Sequence, residues 1–237
     1  MSSLVFIDKI KFHKNEIVCR LPSGKGWQKA HFRQGELDGA CGAYSVAMLL
    51  NILGVFQAEM MQQPEKLDYR KRITRLVLEL NRHGLYKDGL DRAEVKKIVN
   101  KCYGTILSAE STTARYTPKR VIEYIADNIR ANNPAMMNIQ WKSGGGHWVV
   151  VVGMECDDND VPNKFYTLDP GEEAPKSMED FPFLKITQGK SEYPHMYCAS
   201  EDSKCCYVFD AVSIKMRQPK SGRIQLLNAI FEKESVR

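Results

Sequence analysis

Several features that would classify a protein at once are missing from this chain. No apolar run approaches the roughly 18 residues that a membrane-spanning helix needs. The longest, such as Trp148 to Val152, have the length of a strand. The N-terminus, MSSLVFIDKIKFHK, lacks a signal-peptide layout, because charges interrupt its apolar residues within the first ten positions. Neither sign of charge dominates: 34 basic and 29 acidic residues are interspersed, for a net charge of +5. That leaves no basic face on which to expect nucleic acid. Repeats and low-complexity segments are absent. Cysteine is present, but not as a disulfide framework. The seven cysteines are odd in number and irregularly spaced in a chain of 237 residues. A reducing compartment is expected, and with it a cytoplasmic protein or an effector exported without a cleaved signal peptide.

What is present is ordinary globular composition, 43% hydrophobic and 27% charged, which excludes intrinsic disorder. Val46, Leu49, Leu50 and Leu53 recur at helical spacing and predict a helix over residues 41–53, with Gly54 as its C-terminal cap. Further helices are expected over Glu65–Arg82, over Arg92–Lys101 behind the capping-box pair Asp91 and Glu94, and from Thr117 with Pro118 in its first turn. Extended segments flank these helices: LVFI and EIVCRL near the N-terminus, then AMMNIQW, HWVVVVGM, KFYTLD and CCYVFDAVSI. HWVVVVGM is apolar on both faces and should be a central strand. Residues 170–194, punctuated by Pro and Gly, read as a long surface loop. Helices first and strands later predict an α+β protein with two segregated lobes.

The chemistry concentrates at three points. In QGELDGACGAY, Cys41 opens the first helix between Gly39-Ala40 and Gly42-Ala43. A thiolate there meets unpaired backbone N–H groups and the positive end of the helix dipole, which lower a thiol pKa. A buried cysteine can equally pack as a small hydrophobe. In KSGGGHWVVVVGM, His147 stands at the mouth of the most apolar strand. A lone histidine there has structural uses, but with a cysteine upstream it can act as the partner that thiol activation requires. In KFYTLDPG, Asp169 ends a strand before a Pro-Gly turn. If that strand forms an antiparallel hairpin with HWVVVVGM, Asp169 returns beside His147 and can fix its tautomer. Gln34, upstream of Cys41, is a candidate oxyanion donor together with the Cys41 backbone N–H.

This set resembles the papain-like cysteine peptidase superfamily, and within it the bacteriocin-processing peptidase domains of ABC exporters. The likeness rests on Ala40-Cys41-Gly42-Ala43, on Gly146-His147-Trp148-Val149 running to Gly153, and on Asp169-Pro170, and it covers about residues 30–172. Gln34 lies seven residues before Cys41, one more than is usual in the family, and Ala40 stands where the exporter domains often carry Asp. The resemblance implies a papain-like two-lobed fold in a single domain, residues 1–237, with a helical lobe about 30–131 and a β lobe about 132–215. It implies a metal-free, cofactor-free Cys-His-Asp mechanism acting on a protein or peptide substrate. The same residues would also serve deamidation or acyl transfer, and the scaffold could serve as a non-catalytic binding module.

Two other groupings carry less. His195, Cys198, Cys205 and Cys206 are close in sequence but lack a familiar zinc spacing, and adjacent strand residues face opposite ways. Arg70, Lys71, Arg72, Arg75 and Arg82 read as a solvated helix face.

Overall fold

The computed structural model describes residues 2–217 except 36–38, 56, 58–67, 69, 83–88, 116, 117, 190, 200 and 201. Four short N-terminal strands come first: β1 (Ser3–Phe6), β2 (Ile10–His13), β3 (Glu16–Arg20) and β4 (Trp27–Lys29). Then follow α1 (Cys41–Ile52), α2 (Arg72–Arg82), α3 (Arg92–Tyr103), β5 (Leu107–Thr113) and α4 (Pro118–Arg130). The remainder is β6 (Ala135–Trp141), β7 (Gly146–Cys156), β8 (Pro162–Leu168), β9 (Phe183–Lys185), β10 (His195–Cys198) and β11 (Ser203–Met216).

The strand pairing runs β7-β6-β11-β10-β9-β8 and then returns to β7, so six antiparallel strands close into a barrel. Closure removes the free edges that an open sheet would present. β1 continues the barrel along β7, and β5 continues it along β11. The 14 residues of β11 span about 45 Å, long enough to serve β6, β10 and β5 in turn. β2, β3 and β4 form a separate three-stranded sheet.

This architecture corrects the expectation of a papain-like two-lobed fold with a helical lobe and a β lobe. β5 lies inside the stretch assigned to the helical lobe yet pairs with β11, and β1 pairs with β7 from the far N-terminus. α1 packs on β7 and β6, α3 on β5 and β11, and α4 on β11, β5 and β7. One buried apolar cluster runs through helices and strands together. α3 and α4 are apolar along one stripe, which the strands cover, α2 packs on α3, and α1 is buried nearly all round.

Local signals hold better. α1 ends in a Schellman arrangement, with Gly54 at φ +68° and its N–H on the Asn51 carbonyl, and the Val55 N–H on the Leu50 carbonyl. The Asp91–Glu94 capping box is formed in both directions. α2 begins at Arg72, and part of the longer helix expected there lies outside the described residues, as does Thr117. Residues 170–194 are irregular apart from β9, which the sequence reading missed. Among the described residues, no helix is long and apolar enough to cross a membrane.

Candidate active site

α1 delivers Cys41. Apolar side chains surround the helix so completely that only Tyr44 among its residues escapes burial. Its N-cap is Ala40, which supplies no capping side chain, and its first turn holds no acidic residue. Among the described residues no side chain caps the N–H groups at this end, so the positive end of the dipole faces the thiol. The Cys41 sulfur lies in that field, within hydrogen-bonding reach of the Gly42 and Trp148 N–H groups and of the His147 ring. Cys41 is 9% exposed. Burial alone would raise its pKa, but hydrogen bonding and charge from His147, with the two N–H groups, reverse the effect and leave the thiol below its ordinary value.

Gly42 is needed for this close approach. A Cβ there would stand 3.0 Å from Leu90 Cβ and 3.3 Å from Trp148 Cδ1. Two hydrogen bonds lock the contact: Ser45 Oγ donates to the Trp148 carbonyl at 3.0 Å, and Trp148 Nε1 donates to the Leu90 carbonyl at 2.7 Å.

His147 is the second residue of β7, just after a tight turn from β6. Gly144 and Gly145 take φ +93° and +82° there, which favours glycine. Trp141 stacks on the imidazole with centroids 6.3 Å apart, while Trp148 points the other way, into the core. β7 and β8 form the antiparallel hairpin expected from the sequence. Asp169, one residue past β8, consequently stands beside His147, with Nε2 to Oδ1 at 2.6 Å. The ring's other nitrogen, Nδ1, is left for the thiol. Burial opposes a charge on His147, but hydrogen bonds to Asp169 and Cys41 and their charges outweigh it and hold its pKa well above the ordinary value, at about 10.

Asp169 is 4% exposed, so its charge has to be supported. Its Oδ1 also accepts the Gly171 N–H at 2.7 Å, and its Oδ2 accepts the Tyr197 hydroxyl at 2.6 Å. Burial would raise this carboxyl, but His147 first, then Tyr197 and Gly171, bring it below its ordinary pKa. Tyr197 comes from β10 and also meets Thr167 Oγ1 at 2.9 Å. The buried His31 ring donates through Nε2 to the Asp169 backbone carbonyl at 2.6 Å. Burial lowers the pKa of His31 despite this contact, which suits the neutral tautomer. His31 and Tyr197 are the residues sequence reasoning missed. Neither carries a local signal, since both act on Asp169 from far along the chain.

Gln34 is tied in through its backbone, whose N–H donates to the Pro170 carbonyl at 2.7 Å. That bond joins the segment before α1 to the Asp169 turn. The side-chain Oε1 of Gln34 is buried and has no hydrogen-bond partner among the described residues. Asp38 lies outside those residues. Gln34, Cys41, His147 and Trp148 line one cavity of about 660 Å³, whose other walls include Leu90, Asp91, Asn138, Gln140, Phe209 and Asp210.

Among the described residues, the grouping of His195 with Cys198, Cys205 and Cys206 forms no comparable constellation. His195 lies across from Cys206, which is buried, while Cys205 is exposed. Among the described residues no group of three or more His, Cys, Asp or Glu side chains is placed to hold a metal ion.

No curated protein matches the chain. A family model does, over residues 27–201, a span containing α1, β7, β8, Tyr197 and every residue of the Cys41–His147–Asp169 cluster. With about three quarters of its length matched, the chain belongs to the Peptidase_C39 like family, within the papain-like cysteine peptidases.

Proposed function

We propose that the protein hydrolyses peptide or isopeptide bonds, with Cys41 as nucleophile, His147 as general acid and base, and Asp169 as the group that orients His147. The Cys41 thiolate attacks the carbonyl carbon of the scissile bond. The His147 imidazolium then gives its proton to the departing amine, leaving a thioester on Cys41. Water attacks the thioester, the neutral imidazole takes the water's proton, and the acid is released with the thiolate regenerated. The Cys41 N–H and the Gln34 amide receive the developing oxyanion. Turning the Gln34 amide end over presents NH2 where its oxygen now has no partner.

One observation carries the reading. The Cys41 sulfur lies within reach of the His147 ring, whose far nitrogen is hydrogen-bonded to the Asp169 carboxylate, beside an open cavity, and the thiol is ionised more easily than normal in spite of its burial. A protein that only bound peptides would have no need to stabilise that charge.

The test is incubation of the protein and of Cys41→Ala with a peptide library, read by mass spectrometry. Wild type is expected to yield fragment pairs whose masses sum to the parent plus one water. Cys41→Ala is expected to lose at least about a thousandfold in rate. Equal cleavage by the two proteins, or products of unchanged length, would refute the proposal.

A further inference from the structure

The cavity is chemically lopsided. Among the described residues its one cationic lining group is His147, already engaged with Cys41 and Asp169. The rest of its polar lining among the described residues is two carboxylates, Asp91 and Asp210, and three amides, Gln34, Asn138 and Gln140. Asp91 has a structural duty, since its Oδ1 caps α3 by accepting the Glu94 N–H at 2.7 Å. Asp210 is less easily explained. It is 9% exposed, and its buried Oδ1 has no hydrogen-bond donor among the described residues. Arg92 Nε comes within 3.3 Å of that oxygen, outside hydrogen-bonding geometry, and Arg92 does not line the cavity. A buried carboxylate oxygen without a donor is costly to maintain.

The backbone aims Asp210 deliberately. Pairing of β11 with β6 runs Val208 to Ile139 and then Asp210 to Asn138, so Phe209 is an extra residue in a bulge. Its carbonyl is satisfied from outside the barrel pairing by the Ala114 N–H at 2.7 Å. Bulges beside active sites redirect side chains, and here Phe209 and Asp210 both reach the cavity. Across the sheet, Asp210 faces Asn138, which in turn faces Trp148, the residue after His147. Two strand spacings of about 4.8 Å therefore put Asp210 roughly 10 Å from the strand that carries His147. An extended peptide advances about 3.4 Å per residue, so that distance corresponds to about three residues.

We infer that Asp210, with Asp91, Asn138 and Gln140, forms a specificity subsite for a lysine or arginine side chain of the substrate, within about three residues of the scissile bond. The inference rests on the proposed hydrolysis at Cys41 and names the substrate class of that site. Arg92 already offers charge to Asp210 from outside the cavity, but an incoming ammonium or guanidinium supplies the hydrogen-bond donor that Asp210 Oδ1 lacks among the described residues. The amides of Asn138 and Gln140 complete the polar wall.

Binding and cleavage can be read separately. Cys41→Ala protein is titrated by calorimetry with peptides identical except for one position, scanned along the chain and occupied by Arg, Lys, Ala or Glu. The cationic members are expected to bind roughly tenfold more tightly than the Ala and Glu members at one or two positions. Asp210→Asn, nearly isosteric, should remove most of that ratio, and Asp91→Asn part of it. A melting curve shows that each variant is folded, and in wild-type background the loss of preference at high salt gives the same reading without any substitution. Equal affinities across the set, no measurable binding, or a preference that survives Asp210→Asn would overturn the subsite. Cleavage by wild type with no charge preference would overturn the subsite and leave hydrolysis standing. Asp210-dependent binding with no cleavage by wild type would do the reverse.

Discussion

Helix α1 holds a buried thiol at each end, and the two behave in opposite ways. Cys41 opens the helix, and Cys19 of β3 packs against its last turn. Cys19 is fully buried, its thiol donates to the Asn51 carbonyl at 3.5 Å, and its sulfur accepts from Asn51 Nδ2 at 3.2 Å. A carbonyl at the negative end of the dipole favours the neutral thiol, and burial pushes Cys19 up to about 12. At the other end, N–H groups and His147 overcome burial and bring Cys41 down. Burial is common to both sites, so the end of the helix and the partner on the barrel decide which sulfur is reactive.

The largest effect should appear in alkylation with iodoacetamide at pH 7, resolved cysteine by cysteine by mass spectrometry. Cys41 is expected to be modified early and Cys19 not at all until the protein unfolds. A thiol of ordinary pKa, about 8.5, is only a few per cent ionised at pH 7. His147→Ala should therefore slow Cys41 alkylation severalfold or more. Equal labelling at the two ends of α1, or an unaltered rate in the variant, would dissolve the contrast between them.

A smaller effect tests why the barrel end is special. The charged form of His147 is stabilised in the fold, with its pKa held at about 10 by hydrogen bonds and charge from Asp169 and Cys41 that outweigh its burial. A raised folded pKa contributes stability in full below the unfolded value, about 6.5, and loses it as pH rises towards 10. Asp169→Asn removes the carboxylate charge. The alkaline limb of kcat/KM should then move down by one unit or more. The difference in melting temperature between wild type and variant should be largest near pH 6 and narrow towards pH 10. A gap independent of pH would mean that Asp169 contributes packing rather than charge.

Much of the site could be read from residues because its parts are local. The helical spacing of Val46, Leu49 and Leu50, the glycine at 54, the apolar β7 and the turn-rich ECDDNDVPN hairpin each act over a few residues. The barrel could not, for a physical reason. β5, LSAESTT, is rich in Ser and Thr and lacks clean alternation, and β9 and β10 are only three and four residues long. The strand character of β5 comes from pairing with β11, far away in sequence, and the short β9 and β10 are held by β8, by each other and by β11. The same holds for Tyr197 and His31, whose contacts with Asp169 span 28 and 138 positions. Helices that are contiguous in sequence suggested a separate lobe, yet their apolar stripes are covered by strands from both ends of the chain.

The smallest effect belongs to the quiet end of α1. Cys19→Ala removes one buried sulfur, close in size to the methyl group lost in Ile→Val core changes, which cost about 0.5–1.5 kcal/mol. Asn51 keeps its stronger bond, Nδ2 to the Lys29 carbonyl at 2.7 Å, and the Asn51 carbonyl keeps the Gly54 N–H. The C-terminal turn of α1 should therefore stay closed and its N-terminus unmoved. Chemical denaturation is expected to show a stability loss of about 1 kcal/mol, with Cys41 alkylation and peptide hydrolysis within twofold of wild type. If Cys19→Ala instead slowed alkylation at Cys41 severalfold, the two ends of the helix would be mechanically linked, and the reactivity of the one thiol would depend on the packing of the other.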